Sequence, residues 1–471
     1  FFRFCDHSAS WAAIMSHPHQ GGSGEPPAKK LKADPGSEPG RFRVDDQFAG
    51  LQVQHFKFED RYCPPPLEKW LQDLSANDPK RRFKQEQTKW LLQQWEAKCK
   101  EQAPNLQKIL KSIVDKKEGQ LPERLENAIR SVQFEAVDKA ALLALQVYSA
   151  ELYELDPNTT NPTEPKQSCP FQIYREFNKV CRTLAHHAEA SLDPDLQQEW
   201  ELFKPLAYHL NAAIRSLPMA PAVLYRGGGY NIDTARYELG KRGSWGGIWS
   251  ASADREQAAR FVAELGLHSA MKGCYFVILS DEARPMYHVS RFPEEMEHLH
   301  PLEQELEVCS VLPASVLQIL HFKVSIVTLK GAGRRLPLQL HLDALDGMSF
   351  LFDGFLSSYV PPSVKTNRSA LETFPIEEKV RSFLGNPASR ILLVAAAAGI
   401  GKTSLALSMA HGTWKLDHYW LFVSLPSVEA PFEELGLVHH LQRSFGFDEE
   451  GLAELQSLPV VLILDSLDEV R

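Results

Sequence analysis

The chain has 471 residues, which exceeds the size at which one hydrophobic core stops growing, so we expect two or three domains. A net charge of −9 with 44% apolar and 24% charged residues is ordinary for a globular protein, and it provides no basic face for nucleic acid. No apolar run approaches the roughly 18–20 residues of a membrane-spanning helix, so no membrane partner is expected.

The cysteines and the N-terminal composition indicate an intracellular protein with a disordered tail. The seven cysteines show no paired or metal-type spacing, which predicts reduced thiols and a cytoplasmic location. Residues 1–60 contain a long stretch rich in Gly, Pro, Ser and charge, and we predict that they are disordered. A short basic run at 29–32 leaves a nuclear location open. Residues 1–15 are too polar for a signal peptide, and Met15 is a plausible natural start.

Helical patterns follow the tail. Residues 61–137 place apolar side chains such as Leu67, Trp70, Leu71 and Leu74 at three- and four-residue spacing, which is typical of amphipathic helices. No recognisable chemistry accompanies them, so this is a helical region of unknown role. Further amphipathic helices are predicted from residue 138 until Pro218.

Strands are predicted after that proline. Apolar, alternating segments indicate strands at 222–225, 248–252, 275–279, 306–311 and 316–327. A helical lead followed by a strand-rich half is typical of an α+β domain, here over residues 138–327.

Three patches on these strands carry the residue types that dinucleotide chemistry needs: Tyr225-Arg226-Gly227, Ser250-Ala251-Ser252 and Glu305-Leu306-Glu307. A guanidinium can clamp a pyrophosphate, and a carboxylate can stabilise the positive charge that develops on ribose as a glycosidic bond breaks. In this order the patches resemble the Arg-Ser-Glu class of mono-ADP-ribosyltransferases. The Glu-x-Glu spacing resembles the branch of that class that modifies arginine.

The resemblance implies transfer of ADP-ribose from NAD⁺ to an exposed arginine of a protein substrate, with release of nicotinamide. It implies NAD⁺ contacts from the first two patches, namely Tyr225, Arg226, Gly227, Ser250 and Ser252. Glu307 would bind the nicotinamide ribose and complete a catalytic set with Arg226 and Ser250. Glu305 would orient the acceptor guanidinium and take its proton, since side chains two apart on a strand share a face.

A second Glu-x-Glu, Glu295-Met296-Glu297, leaves the catalytic pair open. It follows Ser290 and Phe292-Pro293, and family members often have a Ser and a Phe-Pro pair shortly before the catalytic strand. We favour Glu307, because 306–311 alternates like a strand whereas Glu295 and Glu297 are predicted to lie in a loop.

Two other functions also stay open: an NAD⁺ glycohydrolase, in which water replaces the guanidine, and a catalytically weak scaffold that keeps the transferase fold.

A second nucleotide signature follows a connector at 328–385. Gly399-Ile400-Gly401-Lys402-Thr403 comes after a predicted buried strand at 390–394 and fits a P-loop, with Ala396 in place of its first glycine. Such a loop cradles phosphates on backbone N–H groups, while its Lys contacts the β/γ-phosphates and its hydroxyl contacts Mg²⁺. Asp465, at the end of a predicted strand at 459–464, fits a Walker B carboxylate.

These two motifs resemble the NACHT group of signal-transduction ATPases. The resemblance implies that residues 386–471 form the N-terminal part of an α/β P-loop NTPase domain that continues in a longer natural protein. It implies ATP contacts from Gly399, Gly401, Lys402, Thr403 and Asp465, with Mg²⁺ at Thr403 and Asp465, and self-association through this module. Asp468 and Glu469 would be further acidic partners. The expected protein is therefore multidomain, with a transferase domain followed by a truncated NTPase domain.

Overall fold

The structure is a computed structural model. It describes residues 2–4, 51, 62–77, 83–116, 137–150, 152, 172–185, 193–228, 234–259, 273–290, 292–302, 304–312, 324–333, 336, 338–349, 352–397, 399–411, 418–433, 435–445 and 447–467. The predicted disordered tail lies outside the described residues apart from β1 (Phe2–Phe4) and Leu51. Asp468 and Glu469 also lie outside them.

In the part of the chain that the structure describes, five helices come before the large sheet and share one core. They are α1 (Leu67–Asn77), α2 (Gln85–Lys116), α3 (Lys139–Ser149), α4 (Ile173–Ala185) and α5 (Pro194–Ser216). The Asp138 carboxylate caps α3 by accepting from the Ala140 amide at 2.8 Å, which satisfies a backbone donor that the helix itself cannot. Leu143, Phe177 and Phe203 are fully buried in this core. The helical lead that the sequence predicts is therefore present.

After the helices, eight strands of the described residues form one sheet. They are β2 (Ala222–Gly228), β3 (Arg242–Gly243), β4 (Trp249–Ser252), β5 (Gly273–Ser280), β6 (Arg284–Pro285), β7 (Glu297–His300), β8 (Leu306–Leu312) and β9 (Val324–Gly331). Their order across the sheet is β3-β8-β9-β5-β2-β4-β7-β6. Among the described pairs of this sheet, β5 and β9 are parallel and the others are antiparallel. This mixed architecture matches the α+β interpretation.

Strand β7 corrects the prediction that Glu297 lies in a loop. A short 3₁₀ turn, Pro293–Glu295, ends at Met296, whose φ of 49° reverses the chain into β7. Glu297 is the first residue of β7 and pairs with Ser252 of β4. The strand is only four residues long, so its alternation was too short to read from the sequence.

The C-terminal part is built on a smaller sheet in which β12 (Tyr419–Ser424) runs parallel to β13 (Val460–Asp465) and β1 pairs antiparallel with β13. The short strands β10 (Ser363–Val364) and β11 (Phe374–Pro375) pair with each other. The described helices of this part are α6 (Leu338–Ser349), α7 (Asp353–Ser358), α8 (Ile376–Gly385), α9 (Lys402–His411), α10 (Gly436–Phe445) and α11 (Glu449–Gln456).

The buried strand predicted at 390–394 is not formed. Only Ile391 makes a bridge, and the segment alternates between half-buried and exposed residues, with Leu393 75% exposed. Leu392 and Val394 pack on the core beneath, so the segment has a packed side and an open side. The apolar run predicted a strand because both sides were assumed to be covered.

Helix α9 packs against the layer that carries the large sheet. Leu407 of α9 is fully buried in one core with Tyr225 of β2, Tyr275 of β5 and Leu340 of α6. Among the helices that the structure describes, none combines the length and the apolar character of a bilayer-spanning segment.

Candidate active site

Arg226 lies on β2 and ties this strand to β4. Its Nη1 donates a hydrogen bond to the backbone carbonyl of Ser250 at 2.7 Å. The two strands otherwise share a single registered pair, Tyr225 with Ser252, so the guanidinium bridges the point at which they diverge. The Tyr225 ring is buried against Tyr275, which leaves its backbone, and not its ring, for contact with a dinucleotide. Gly227 is half-buried further along the same strand.

Ser250 and Glu297 meet across the pair of strands β4 and β7. Ser250 pairs with Leu299 and Ser252 with Glu297, so Ser250 and Glu297 lie diagonally on the same face of β4 and β7. The Ser250 side chain and the Arg226 charge both lower the pKa of the Glu297 carboxyl group. Ser252 fixes the turn before β7, because its hydroxyl donates to the carbonyl of Glu295 at 2.6 Å and accepts from the Asp254 amide at 2.9 Å. Arg226, Ser250 and Glu297 thus lie on three neighbouring strands, β2, β4 and β7.

Burial dominates the electrostatics of Glu297. Desolvation raises the pKa of this carboxyl group above its ordinary value of 4.5, while the Ser250 hydrogen bond and the Arg226 charge oppose the rise. The pKa of Glu297 remains raised overall, so Glu297 is a carboxyl group with a perturbed pKa that also feels the charge of Arg226. Such groups cluster at functional sites.

Tyr148 and Asn178 hold the start of β4 from the helical side. The Tyr148 hydroxyl donates to the carbonyl of Ile248 at 3.0 Å and accepts from the Asn178 amide at 3.1 Å. Burial raises the pKa of Tyr148, so the hydroxyl stays neutral and keeps its proton for Ile248. A Cβ on Gly247 would lie 3.0 Å from the Asn178 side-chain oxygen, so a side chain there would force Asn178 to give way by a few tenths of an ångström.

We expect loss of the Ser250 hydroxyl to shift the pH dependence of the reaction predicted from the sequence, the cleavage of NAD⁺. If Glu297 acts there in its ionised form, activity should fall as the pH drops through its raised pKa. Ser250→Ala removes a side chain that lowers this pKa, so the acid limb of kcat/KM should move to higher pH. Rates of nicotinamide release between about pH 4 and 8 measure the shift. Ser252→Ala is the control, because its hydroxyl contacts the Glu295 backbone. An unmoved limb in Ser250→Ala contradicts the assignment.

Glu307 does not join Arg226 and Ser250, which corrects the expected convergence. It lies on β8, and strands β9 and β5 stand between β8 and β2 in the sheet. Its carboxylate binds Arg242 Nε at 2.9 Å and Lys330 Nζ at 3.8 Å instead. Glu305 is exposed just before β8, where its backbone carbonyl accepts from the Ala332 amide. The alternation of 306–311 predicted the strand correctly but not its place in the sheet.

Glu307 has a structural role that stability measurements can test. Glu307 and Lys330 are both buried, so Glu307→Ala leaves the Lys330 ammonium without its buried counter-charge. We expect a loss of about 3 kcal/mol in the free energy of unfolding, measured by urea denaturation. Arg242→Ala is the comparison, because an exposed partner contributes about 0–1 kcal/mol. Equal losses in the two variants would contradict a buried ion pair.

The predicted P-loop residues come together at the end of β13. Thr403 Oγ1 donates to Asp465 Oδ2 at 2.8 Å, and Lys402 Nζ donates to the Ala396 carbonyl at 3.1 Å. Gly399 and Gly401 have φ values of 76° and 93°, which only glycine adopts readily. Ala396 has no such positive φ, so the alanine at the first glycine position does not strain the loop. A hydroxyl beside a carboxylate provides the oxygen ligands that Mg²⁺ prefers.

No clustered metal site accompanies these residues. Within the described part of the chain, no group of three or more His, Cys, Asp or Glu side chains is placed to hold a metal ion. The described cysteines, Cys63, Cys99, Cys181, Cys274 and Cys309, are free thiols. The predicted Mg²⁺ contacts therefore depend on one hydroxyl and one carboxylate, which would need phosphate oxygens and water to complete the coordination.

Comparison with known proteins gives similarity only at the level of structure. No protein-family model and no curated protein matches the sequence. Vis toxin, an ADP-ribosyltransferase from Vibrio splendidus, is similar at 12% identity over 49% of this chain and 86% of its own, with a TM-score of 0.30. The ADP-ribosyltransferase HopU1 of Pseudomonas syringae pv. tomato DC3000 is similar at 16% identity over 47% and 87%, with a TM-score of 0.30. The eukaryotic mono-ADP-ribosyltransferase ART2.2 is similar at 14% identity over 53% and 89%, with a TM-score of 0.29.

These similar structures are all ADP-ribosyltransferases, but TM-scores of about 0.3 do not establish a shared fold. Function is therefore inferred from the arrangement of Arg226, Ser250 and Glu297. Of these three, Glu297 is the residue that the strand pattern missed. The signal that could have identified it is the local sequence Ser290, Phe292-Pro293 and Glu295-Met296-Glu297.

Proposed function

We propose that the chain transfers ADP-ribose from NAD⁺ to arginine side chains, with Arg226, Ser250 and Glu297 as the site. The observation that carries the proposal is that Arg226, Ser250 and Glu297 lie on the neighbouring strands β2, β4 and β7, with Arg226 bound to the Ser250 carbonyl and Glu297 on the same face as Ser250. The Ser250 side chain and the Arg226 charge also lower the pKa of the Glu297 carboxyl group. Arg226 would bind the pyrophosphate, and Ser250 and Ser252 would hold the strands around it. Glu297 takes the role first expected of Glu307.

The chemistry asked of Glu297 is electrostatic. Nicotinamide leaves NAD⁺ as a neutral molecule when the bond between its ring nitrogen and ribose C1′ breaks, because the electron pair of that bond cancels the ring's positive charge. No acid is needed for this leaving group. The ribose becomes oxocarbenium-like, and a fixed carboxylate beside it stabilises the developing charge. Partial desolvation of Glu297 strengthens this interaction, since there is less water to screen it.

Glu295 supports arginine as the acceptor. A protein arginine is protonated and a poor nucleophile, so a carboxylate must take a proton as its nitrogen attacks C1′. Glu295 is half-buried one residue before the left-handed Met296, with its backbone held by Ser252. This turn, and not simple strand alternation, sets the direction of Glu295 relative to Glu297. The acceptor is then a protein with an exposed arginine.

The test separates transfer from hydrolysis. Purified protein is incubated with NAD⁺ labelled in the adenylate part and with agmatine as a generic guanidine acceptor, and the products are separated by chromatography. Transfer gives labelled agmatine in proportion to nicotinamide, whereas a glycohydrolase gives free ADP-ribose without labelled acceptor. Absence of any NAD⁺ consumption would favour the scaffold alternative. We expect Glu295→Gln to lose the transfer product while it retains NAD⁺ cleavage.

A second proposal concerns ATP at the P-loop. The hydrogen bond between Thr403 and Asp465 places the two predicted Mg²⁺ contacts together, and the Lys402 ammonium lies against the loop at Ala396. We propose that these residues with Gly399 and Gly401 bind an ATP–Mg²⁺ complex and that the module belongs to a NACHT-like NTPase. Equilibrium binding of a fluorescent ATP analogue tests this, with Lys402→Ala expected to lose binding. Binding that is equal in wild type and Lys402→Ala would contradict the proposal.

A further inference from the structure

Trp245 lies directly beside the proposed pyrophosphate-binding arginine. The Arg226 guanidinium carbon is 5.4 Å from the centre of the indole ring, within the range of a cation–π interaction. Trp245 is half-buried in the loop that leads into β4. The guanidinium is therefore held by the carbonyl of Ser250 and also by the face of an aromatic ring.

The plane of this ring is fixed by its neighbours. The indole N–H of Trp245 donates to the Tyr237 hydroxyl at 3.0 Å. Trp249 and Phe276 contact Trp245 in edge-to-face geometry, with ring centres at 4.8 Å and 5.0 Å. A ring held by one hydrogen bond and two aromatic contacts cannot rotate freely, so it presents a constant face to Arg226.

The same ring is connected to the strand that carries Glu297. Trp249 of β4 stacks on His300 of β7 with ring centres 3.6 Å apart and planes 9° apart. Gly246 and Gly247, both at positive φ, form the turn that places Trp245 next to β4. The aromatic series Trp245, Trp249 and His300 thus runs from Arg226 to the third residue after Glu297.

We propose that Trp245 is a positioning residue that pre-orients the Arg226 guanidinium for the pyrophosphate of NAD⁺. The inference rests on the proposed function. The arginine is held in its binding direction before the dinucleotide arrives, so less side-chain freedom is lost on binding. Arg226 would bind the pyrophosphate, which does not react, so pre-orientation of Arg226 stabilises the ground state and the transition state equally. It therefore increases the affinity for NAD⁺ and does not change the rate of the chemical step.

The expected result is a split between KM and kcat. Trp245→Leu keeps an apolar side chain but removes the aromatic face, and we expect the KM and the dissociation constant for NAD⁺ to rise about tenfold while kcat is unchanged. Trp245→Phe keeps an aromatic face and should restore most of the affinity. In an Arg226→Ala background, Trp245→Leu should weaken NAD⁺ binding no further, since the two residues act as one unit.

The control for a general packing loss is Trp90→Leu. Trp90 is half-buried like Trp245 but packs on the helical core, so its loss should lower the melting temperature and leave the KM for NAD⁺ unchanged. If circular dichroism shows that Trp245→Leu is unfolded, Trp245→Met replaces it, because methionine is also apolar but more adaptable.

Three results would overturn the inference while the proposed function stands. The first is an unchanged KM for NAD⁺ in Trp245→Leu, or in Trp245→Met where that variant replaces it. The second is a fall in kcat at constant KM in the same variant. The third is a further loss of NAD⁺ affinity when Trp245→Leu is added to Arg226→Ala. A wild-type protein that binds no NAD⁺ would instead overturn the proposed function and this inference together.

Discussion

Glu297→Gln is expected to lower kcat for NAD⁺ cleavage by about three decades, whereas Glu307→Gln should stay within a few-fold of wild type. A carboxylate about 4 Å from a positive charge contributes about 4 kcal/mol at an effective dielectric constant of about 20. Each 1.36 kcal/mol corresponds to about one decade in rate. Gln keeps the shape and hydrogen-bonding capacity of Glu297 but removes the charge, so the loss measures the electrostatic contribution.

Initial rates of nicotinamide release in the two variants make the comparison. Glu307→Gln weakens the buried contact with Lys330, so both variants are assayed at a temperature at which circular dichroism shows them folded. If Glu307→Gln is the inactive variant and Glu297→Gln the active one, the assignment of the catalytic carboxylate is wrong.

Arg226→Ala is expected to lower kcat/KM for NAD⁺ by about 100-fold, mainly through a higher KM. Hydrogen bonds to charged groups contribute about 1.5–3 kcal/mol each, and a guanidinium can offer two in parallel to a pyrophosphate. About 2.8 kcal/mol corresponds to 100-fold. Arg226→Lys should recover only part of the loss, because an ammonium does not reproduce the planar fork.

Arg242→Ala is the matched control for this effect. Arg242 is also a strand arginine in contact with a glutamate, but its partner is Glu307, and its side chain is 59% exposed. Its loss should leave KM for NAD⁺ nearly unchanged. Equal increases in KM for the two arginine variants would indicate a general loss of positive charge and would contradict a specific pyrophosphate contact at Arg226.

Much of the fold could be predicted from the sequence because its signals are local. Helical spacing identified the lead before Pro218, and alternation identified β2, β4, β5 and β8 to within two or three residues. Arg226 and Ser250 were also predicted together, since each lies on a strand with clear alternation. The hydrogen bond from Arg226 to the Ser250 carbonyl follows from the pairing of β2 with β4.

The order of strands in the sheet could not be predicted. The sequence favours Glu307 because 306–311 alternates like a strand, but alternation does not show which strand lies beside it. Glu297 is predicted in a loop because β7 has only four residues, and the left-handed Met296 before it, rare for residues other than glycine, gives no sequence signal. The prediction of a buried strand at 390–394 was wrong as well. An apolar run does not show whether a neighbouring strand covers both of its sides, and here one side is exposed.

The most direct test of the convergence is a crystal structure of the Glu297→Gln variant with NAD⁺ bound. We expect Arg226 nitrogens within hydrogen-bond distance of the pyrophosphate and the side chain at position 297 beside the hydroxyls of the nicotinamide ribose. NAD⁺ bound next to Glu307 and Lys330, or bound without contact to Arg226, would contradict the account.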